Sequence, residues 1–191
     1  MKITIVDPKT ELIKHLQEVF YDVNEVEAVV GKIESFRAEA IVSPANSFGY
    51  MDGGVDEAIT DMIGKRAQVK LQKVIKEKYH GEMPVGCSIV LKLENNTFDY
   101  LISSPTMRLP MNVSQTLNAY LAFRSTILAA IDADITSFIT PAFATGIGKM
   151  SYDKAALQMK VAWLNATNPA EIKDFEAIHL LNRRMYNPDI W

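Results

Sequence analysis

Ala40-Ile41-Val42 is apolar without interruption, and a loop with adjacent glycines and then a helical pattern follow it. A strand with no polar face has to be covered on both sides. That is the situation of a central strand in a parallel sheet, and parallel neighbours require crossover connections, usually helical. This stretch therefore commits the chain to an α/β architecture. Ser43-Pro44 turns the chain out of the strand, Gly53-Gly54 allow close approach to the backbone, and Asp56 and Glu57 fall in the first turn of a helix starting at Val55. The first N–H groups of a helix have no intrahelical partner and the dipole is positive there, so the junction suits an anion such as a phosphate.

The arrangement recurs. Ser137-Phe138-Ile139-Thr140 reads as a strand, and Pro141-Ala142-Phe143-Ala144-Thr145-Gly146-Ile147-Gly148 as a second glycine loop. Ser151 to about Asn165 reads as the helix after it, with Leu157, Val161 and Leu164 inward. In the first loop Gly53-Gly54-Val55 begin seven residues after Asn46, and Asp56 stands ten after it. Together the two loops resemble the macro domain family over roughly Glu27 to Asn182, whose signature joins a strand ending in Asn-Ala-Ala-Asn to a Gly-Gly-Gly-Val-Asp helix start. The resemblance implies a three-layer α/β/α fold and a ligand of the ADP-ribose type. It puts Gly53, Gly54, Val55, Thr145, Gly146, Ile147 and Gly148 on the diphosphate and distal ribose, and Asn46 at that ribose, where it joins Asp56 as a catalytic candidate. Asp56 would orient or activate a water or substrate group near the anomeric carbon, as in the hydrolytic members.

The chain departs from the family pattern in places. Ser43-Pro44 replaces Asn-Ala, two glycines stand where many members have three or four, and Gly31-Lys32-Ile33 replaces Gly-Asp-Ile. The family's aspartate there accepts a hydrogen bond from the adenine amino group, whereas a lysine only donates. Glu34 is then a candidate for the base, and Arg108, held between Pro105 and Pro110, a candidate for a phosphate.

The remaining pattern agrees with alternating strands and helices. Ile3 to Val6 is a short strand, Asp7 can cap and Pro8 can start a helix to about Phe20, and Val23 to Val30 is strand-like up to Gly31. Helices are expected from Val55 to Ile63 and from Arg66 to Tyr79, with a break at Gly64. Val85 to Leu93 and Phe98 to Ser103 can pair as a hairpin across Glu94-Asn95-Asn96. A long helix from about Ser114 to Asp132 carries the stripe Leu117, Leu121, Arg124, Leu128 and Ile131, flanked by Phe123, Ile127 and Ala130. Ala177 to Leu181 reads as a last strand. The expectation is a mixed, mostly parallel sheet with helices on both faces and a ligand crevice beyond the carboxyl ends of its strands.

Composition narrows the function. With 191 residues, 48% hydrophobic and 23% charged, one domain spanning 1–191 is the economical expectation. A net charge of −3 disfavours general nucleic-acid binding and requires a phosphate to be held locally. Cys87, the single cysteine, excludes an internal disulfide and is expected as a small buried hydrophobe. His15, His80 and His179 have no metal-site spacing, so neither metal nor cofactor is expected. No serine lies in a Gly-x-Ser-x-Gly elbow, and no Gly-Lys-Ser or Gly-Lys-Thr occurs. Without an apolar run of about 18 residues or a signal-peptide pattern, the expected location is cytoplasmic, away from membranes.

The resemblance implies binding of ADP-ribose or a related NAD-derived nucleotide, free or as part of an ADP-ribosylated substrate. The leading activity is hydrolysis of an ADP-ribosyl linkage or of the terminal phosphate of ADP-ribose-1″-phosphate. Because the family also contains members that only bind, the alternatives are a non-catalytic sensor or sequestering module, and a structural or assembly protein that reuses the fold.

Overall fold

The computed structural model describes all residues except 95, 96, 170 and 187–191. Its strands are Lys2–Asp7 (β1), Val26–Val30 (β2), Ala40–Ser43 (β3), Ile89–Lys92 (β4), Tyr100–Ser103 (β5) and Ser137–Thr140 (β6). Its helices are Thr10–Val19 (α1), Val55–Ile63 (α2), Arg66–Tyr79 (α3), Asn118–Asp132 (α4), Tyr152–Thr167 (α5) and Phe175–Arg184 (α6), with a 3₁₀ turn at Ile33–Ser35. The strands form one sheet in the order β2-β1-β6-β3-β5-β4. All neighbours are parallel except β4, which pairs antiparallel with β5 as the expected hairpin. Residues 95 and 96 of the expected turn lie outside the described residues.

The central strands feed two separate cores by strict alternation. Ala40, Val42, Ile102 and Phe138 pack with α1, α4 and α5 on one face, and Ile41, Leu101 and Ile139 pack with α2 and α3 on the other. All four residues of β3 are buried, as its apolar composition requires. The architecture is the three-layer α/β/α arrangement anticipated from the sequence, with helices on both faces.

Several local expectations are corrected. The strand expected from Val85 starts only at Ile89, because Gly86 at φ +94° and the Cys87 N–H bond to the Pro84 carbonyl make a turn there. Cys87 is half-buried in that turn instead of fully enclosed. On α4 the buried face carries Ala119, Ala122, Phe123, Thr126, Ile127 and Ala130, whereas Leu121 and Ile131 are 38% and 46% exposed. The helix is apolar nearly all round, so periodicity alone does not select a face; small alanines and the tilted Phe123–Phe143 contact, 5.4 Å between ring centroids, select it by packing. α5 likewise buries Ala155, Ala156, Met159, Val161 and Ala162, with Leu157 and Leu164 only half-buried.

Ala177 to Leu181 is not a strand but the middle of α6. Asp174 caps that helix by accepting the Ala177 N–H at 2.9 Å, Glu176 lies in the first turn, and Arg183 and Arg184 in the last. These terminal signals suit a helix, and they outweigh the short apolar run. At the other end, α1 begins at Thr10, and Asp7 bonds the Lys9 N–H at 3.0 Å just before it.

Candidate functional site at the carboxyl ends of the parallel strands

A cavity of about 520 Å³ opens where the loops leave the carboxyl ends of β1, β2, β3, β5 and β6. The loop after β3 supplies one wall. Asn46 lines the cavity, yet both polar atoms of its amide are used inside the loop. Oδ1 accepts the N–H groups of Phe48 and Tyr50 at 3.1 and 3.4 Å, and Nδ2 donates to the Tyr50 carbonyl at 2.9 Å. In the structure Asn46 is therefore a loop former with an exposed edge. The loop is pinned to the one after β5 through the Ser47 N–H, which donates to the Met107 carbonyl at 3.1 Å.

Gly54 precedes α2 at φ +60°, ψ −131°, a conformation L side chains rarely adopt. A Cβ at Gly53 or Gly54 would meet nothing within 4 Å, so the backbone at both positions is bare. Among the described residues no acceptor takes the N–H groups of Gly53, Gly54, Val55 or Asp56. The loop after β6 repeats this. Thr145, Gly146, Ile147 and Gly148 line the cavity, and their N–H groups likewise have no acceptor among the described residues. Its shape is held from behind by the Met150 N–H on the Ala144 carbonyl at 3.1 Å and the Val113 N–H on the Gly148 carbonyl at 2.9 Å. Gly148 serves this packing, since a Cβ there would stand 2.4 Å from the Ala144 oxygen.

One expectation about this loop changes. The sequence pattern puts two helix N-termini at the crevice, but α5 starts at Tyr152, and neither Ser151 nor Tyr152 lines the cavity. The second wall is thus loop backbone whose N–H groups have no acceptor among the described residues, and the first is the N-terminus of α2; the N-cap of α1, Lys9, also lines the cavity, with its own N–H taken by Asp7.

Asp56 sits in the first turn of α2, half-buried, and Oδ1 accepts a 2.6 Å hydrogen bond from the Ser43 hydroxyl. Burial pushes its carboxyl up to about 6, with the Ser43 bond pulling the other way. A carboxyl poised there exchanges a proton close to neutral pH, which suits a general base.

The sheet order decides the rest of the lining. Lys32, Ile33 and Glu34 come from the end of β2, and Asp7 and Lys9 from the end of β1. Glu34 therefore lines the cavity, beside the divergent Lys32. Arg108 is not. Its guanidinium forks onto Glu82, with Nε and Nη2 at 2.6 and 2.9 Å from the two carboxylate oxygens, and lies 5.3 Å over the Phe48 ring. Thr106 and Met107 reach the cavity in its place. These two, with Asp7, Lys9 and Tyr50, are lining residues that sequence reading missed. The neighbouring order of β1, β6, β3 and β5 brings Asp7, Lys9, Thr106 and Met107 there, while Tyr50 lies on the first glycine loop itself.

The family model described as Macro domain matches residues 42–159, which include the site's two glycine loops. An uncharacterized protein of Pyrobaculum aerophilum is 32% identical over 144 residues, 74% of this chain and 77% of that protein. Among solved structures, the macrodomain of Mycobacterium tuberculosis DarG superimposes with a TM-score of 0.62 at 18% identity, covering 72% of this chain and 88% of that one. Thermosipho africanus DarTG, solved in complex with ADP-ribose, superimposes with a TM-score of 0.58 at 15% identity, covering 86% of this chain and 50% of that one. The family match spans well over half of the sequence, and the fold agrees with it: the chain belongs to the macro domain family.

Proposed function

We propose that this protein binds ADP-ribose or a closely related NAD-derived nucleotide in the 520 Å³ cavity and hydrolyses an ADP-ribosyl linkage or the phosphate of ADP-ribose-1″-phosphate. The observation that carries the reading is the pair of backbone runs, Gly53 to Asp56 and Thr145 to Gly148, whose residues line one cavity and whose N–H groups have no acceptor among the described residues. Two such runs match a diphosphate, because each phosphate takes several N–H bonds without needing a cation. The cavity also has room for a nucleotide-sized ligand. Asp56 lines it beside the first run and is the candidate general base for the sugar chemistry. Macrodomain neighbours include one solved with ADP-ribose, which supports the choice of ligand.

A second reading has its own observation. Asn46, the partner implied for the distal ribose, spends its amide within residues 46–50. If a bound nucleotide leaves those bonds in place, half of the implied catalytic pair is absent, and a binding-only sensor is the better description.

Calorimetric titration with ADP-ribose, alongside ADP, AMP and NAD, tests the binding reading directly. ADP-ribose binds the native protein and raises its melting temperature, by about 2.7 kcal/mol of added stability at a hundredfold excess over Kd. Gly53→Glu is the informative variant. Gly53 does not need positive φ and its Cβ position is open, so the variant folds, while its carboxylate occupies the anion's approach. Normal folding with unchanged ADP-ribose affinity would remove the first loop from the site.

A further inference from the structure

Ser43 ends β3, the strand buried along its whole length, and is itself 0% exposed. A hydroxyl at such a position is costly unless it is bonded, and its partner is Asp56 Oδ1 at 2.6 Å. The other carboxylate oxygen, Oδ2, accepts nothing from the described residues, and Asp56 lines the cavity. Across the β3–β5 pair Ser43 lies in register with Ser103, which is equally buried but whose hydroxyl has no partner among the described residues. Two serines thus share one sheet level, and one of them reaches the carboxyl.

We propose that Ser43 is the positioning residue for Asp56: its hydroxyl fixes one carboxylate oxygen from beneath the site and leaves the other free for the substrate or its attacking water. The proposal rests on the reading of Asp56 as the general base and adds the group that holds it. The hydroxyl is anchored in a sheet strand and the carboxyl stands on a helix, so the bond ties the strand end to the first turn of α2. Among the described residues no charged side chain competes for this role. The other ionisable groups lining the cavity are Asp7, Lys9, Lys32, Glu34, Tyr50 and Asp52, and Glu57 shares the helical turn; none is among the causes of the Asp56 shift, which comes from burial opposed by Ser43.

The test is a carbon-13 carboxyl titration of Asp56 in the parent, Ser43→Ala, Ser43→Thr and Ser103→Ala. Loss of the donor in Ser43→Ala moves the Asp56 midpoint above its parent value near 6, Ser43→Thr restores it, and Ser103→Ala leaves it in place. Should Ser43→Ala fail to fold, Ser43→Cys keeps the volume with a weaker donor and gives a smaller upward move. An Asp56 midpoint unchanged in Ser43→Ala, or in Ser43→Cys where that is the variant that folds, overturns the proposal. Turnover of ADP-ribose-1″-phosphate and of a mono-ADP-ribosylated peptide adds a second readout. Ser43→Ala lowers kcat by about 10- to 100-fold with KM nearly unchanged, as loss of orientation does. A raised KM at parental kcat would also overturn it, since that places Ser43 in ligand binding. If the parent turns over neither substrate, the hydrolytic reading fails, and the titration alone decides whether Ser43 holds the carboxyl.

Discussion

Asp56 gives up hydration for its place beside the cavity, and stability records this. Its carboxyl titrates near 6 when folded and near 3.8 when unfolded, so between these values the native state binds the extra proton. Stability contributed by this group therefore falls as pH rises through that window, and the ionised form is a standing cost above it. Asp56→Asn keeps an acceptor for Ser43 and removes the charge. The variant is more stable than the parent above about pH 6, by up to about 2–3 kcal/mol, and the two converge below about pH 4. Denaturant unfolding across pH 3.5 to 8 checks this; parallel curves would show that the carboxyl is not perturbed. The same variant retains ADP-ribose affinity and loses about 10²- to 10⁴-fold in turnover if Asp56 is the general base. Lys32 makes the complementary case. It lines the cavity at the end of β2 as a donor, where a carboxylate would accept from an amino-purine. Lys32→Asp gains one such bond, about 0.5–1.5 kcal/mol, and tightens ADP-ribose by up to roughly tenfold in titration. No change would place the base elsewhere.

The elements divide by how their signals are written. β3, with its uniform apolar run, and β6 are legible because burial on two faces leaves no other solution, and α2 and α3 because Gly64 at φ +87° separates them. α6 shows the opposite case. Five apolar or aromatic-ring residues in succession read as a strand, while the decisive information lay in its ends, Asp174 before and two arginines after. Removing the cap separates the two accounts. Asp174→Ala costs about 1 kcal/mol locally, so amide exchange in the first turn of α6 quickens by about fivefold while ADP-ribose binding is unaltered. Unchanged exchange would mean that packing, and not the cap, holds the helix start. α4 was located by its period, but its buried face was not, because an almost wholly apolar surface carries no directional pattern.

At the scale of the molecule, the proposed phosphate cradle consists of neutral backbone donors in a chain of net charge −3. Binding that depends on oriented N–H groups is screened little by salt, unlike binding by a basic surface. The Kd for ADP-ribose therefore changes by less than about threefold between 50 and 500 mM sodium chloride. A steep loss of affinity with salt would assign the phosphates to Lys9 and Lys32 instead. The sequence by itself determined the α/β class, the two glycine loops, and Asp56 at a helix start, since these follow from local rules of burial, backbone freedom and helix termini. What it left open were matters of neighbourhood: β1 and β6 lying between β2 and β3, Asn46 turned inward to its own loop, Arg108 paired with Glu82, and Ser43 placed under Asp56. Those pairings join residues that only the sheet order and the packing of the loops bring within bonding distance. A hydrogen bond of 2.6 Å between residues 13 apart, one on a strand and one on a helix, has no signature in either segment alone.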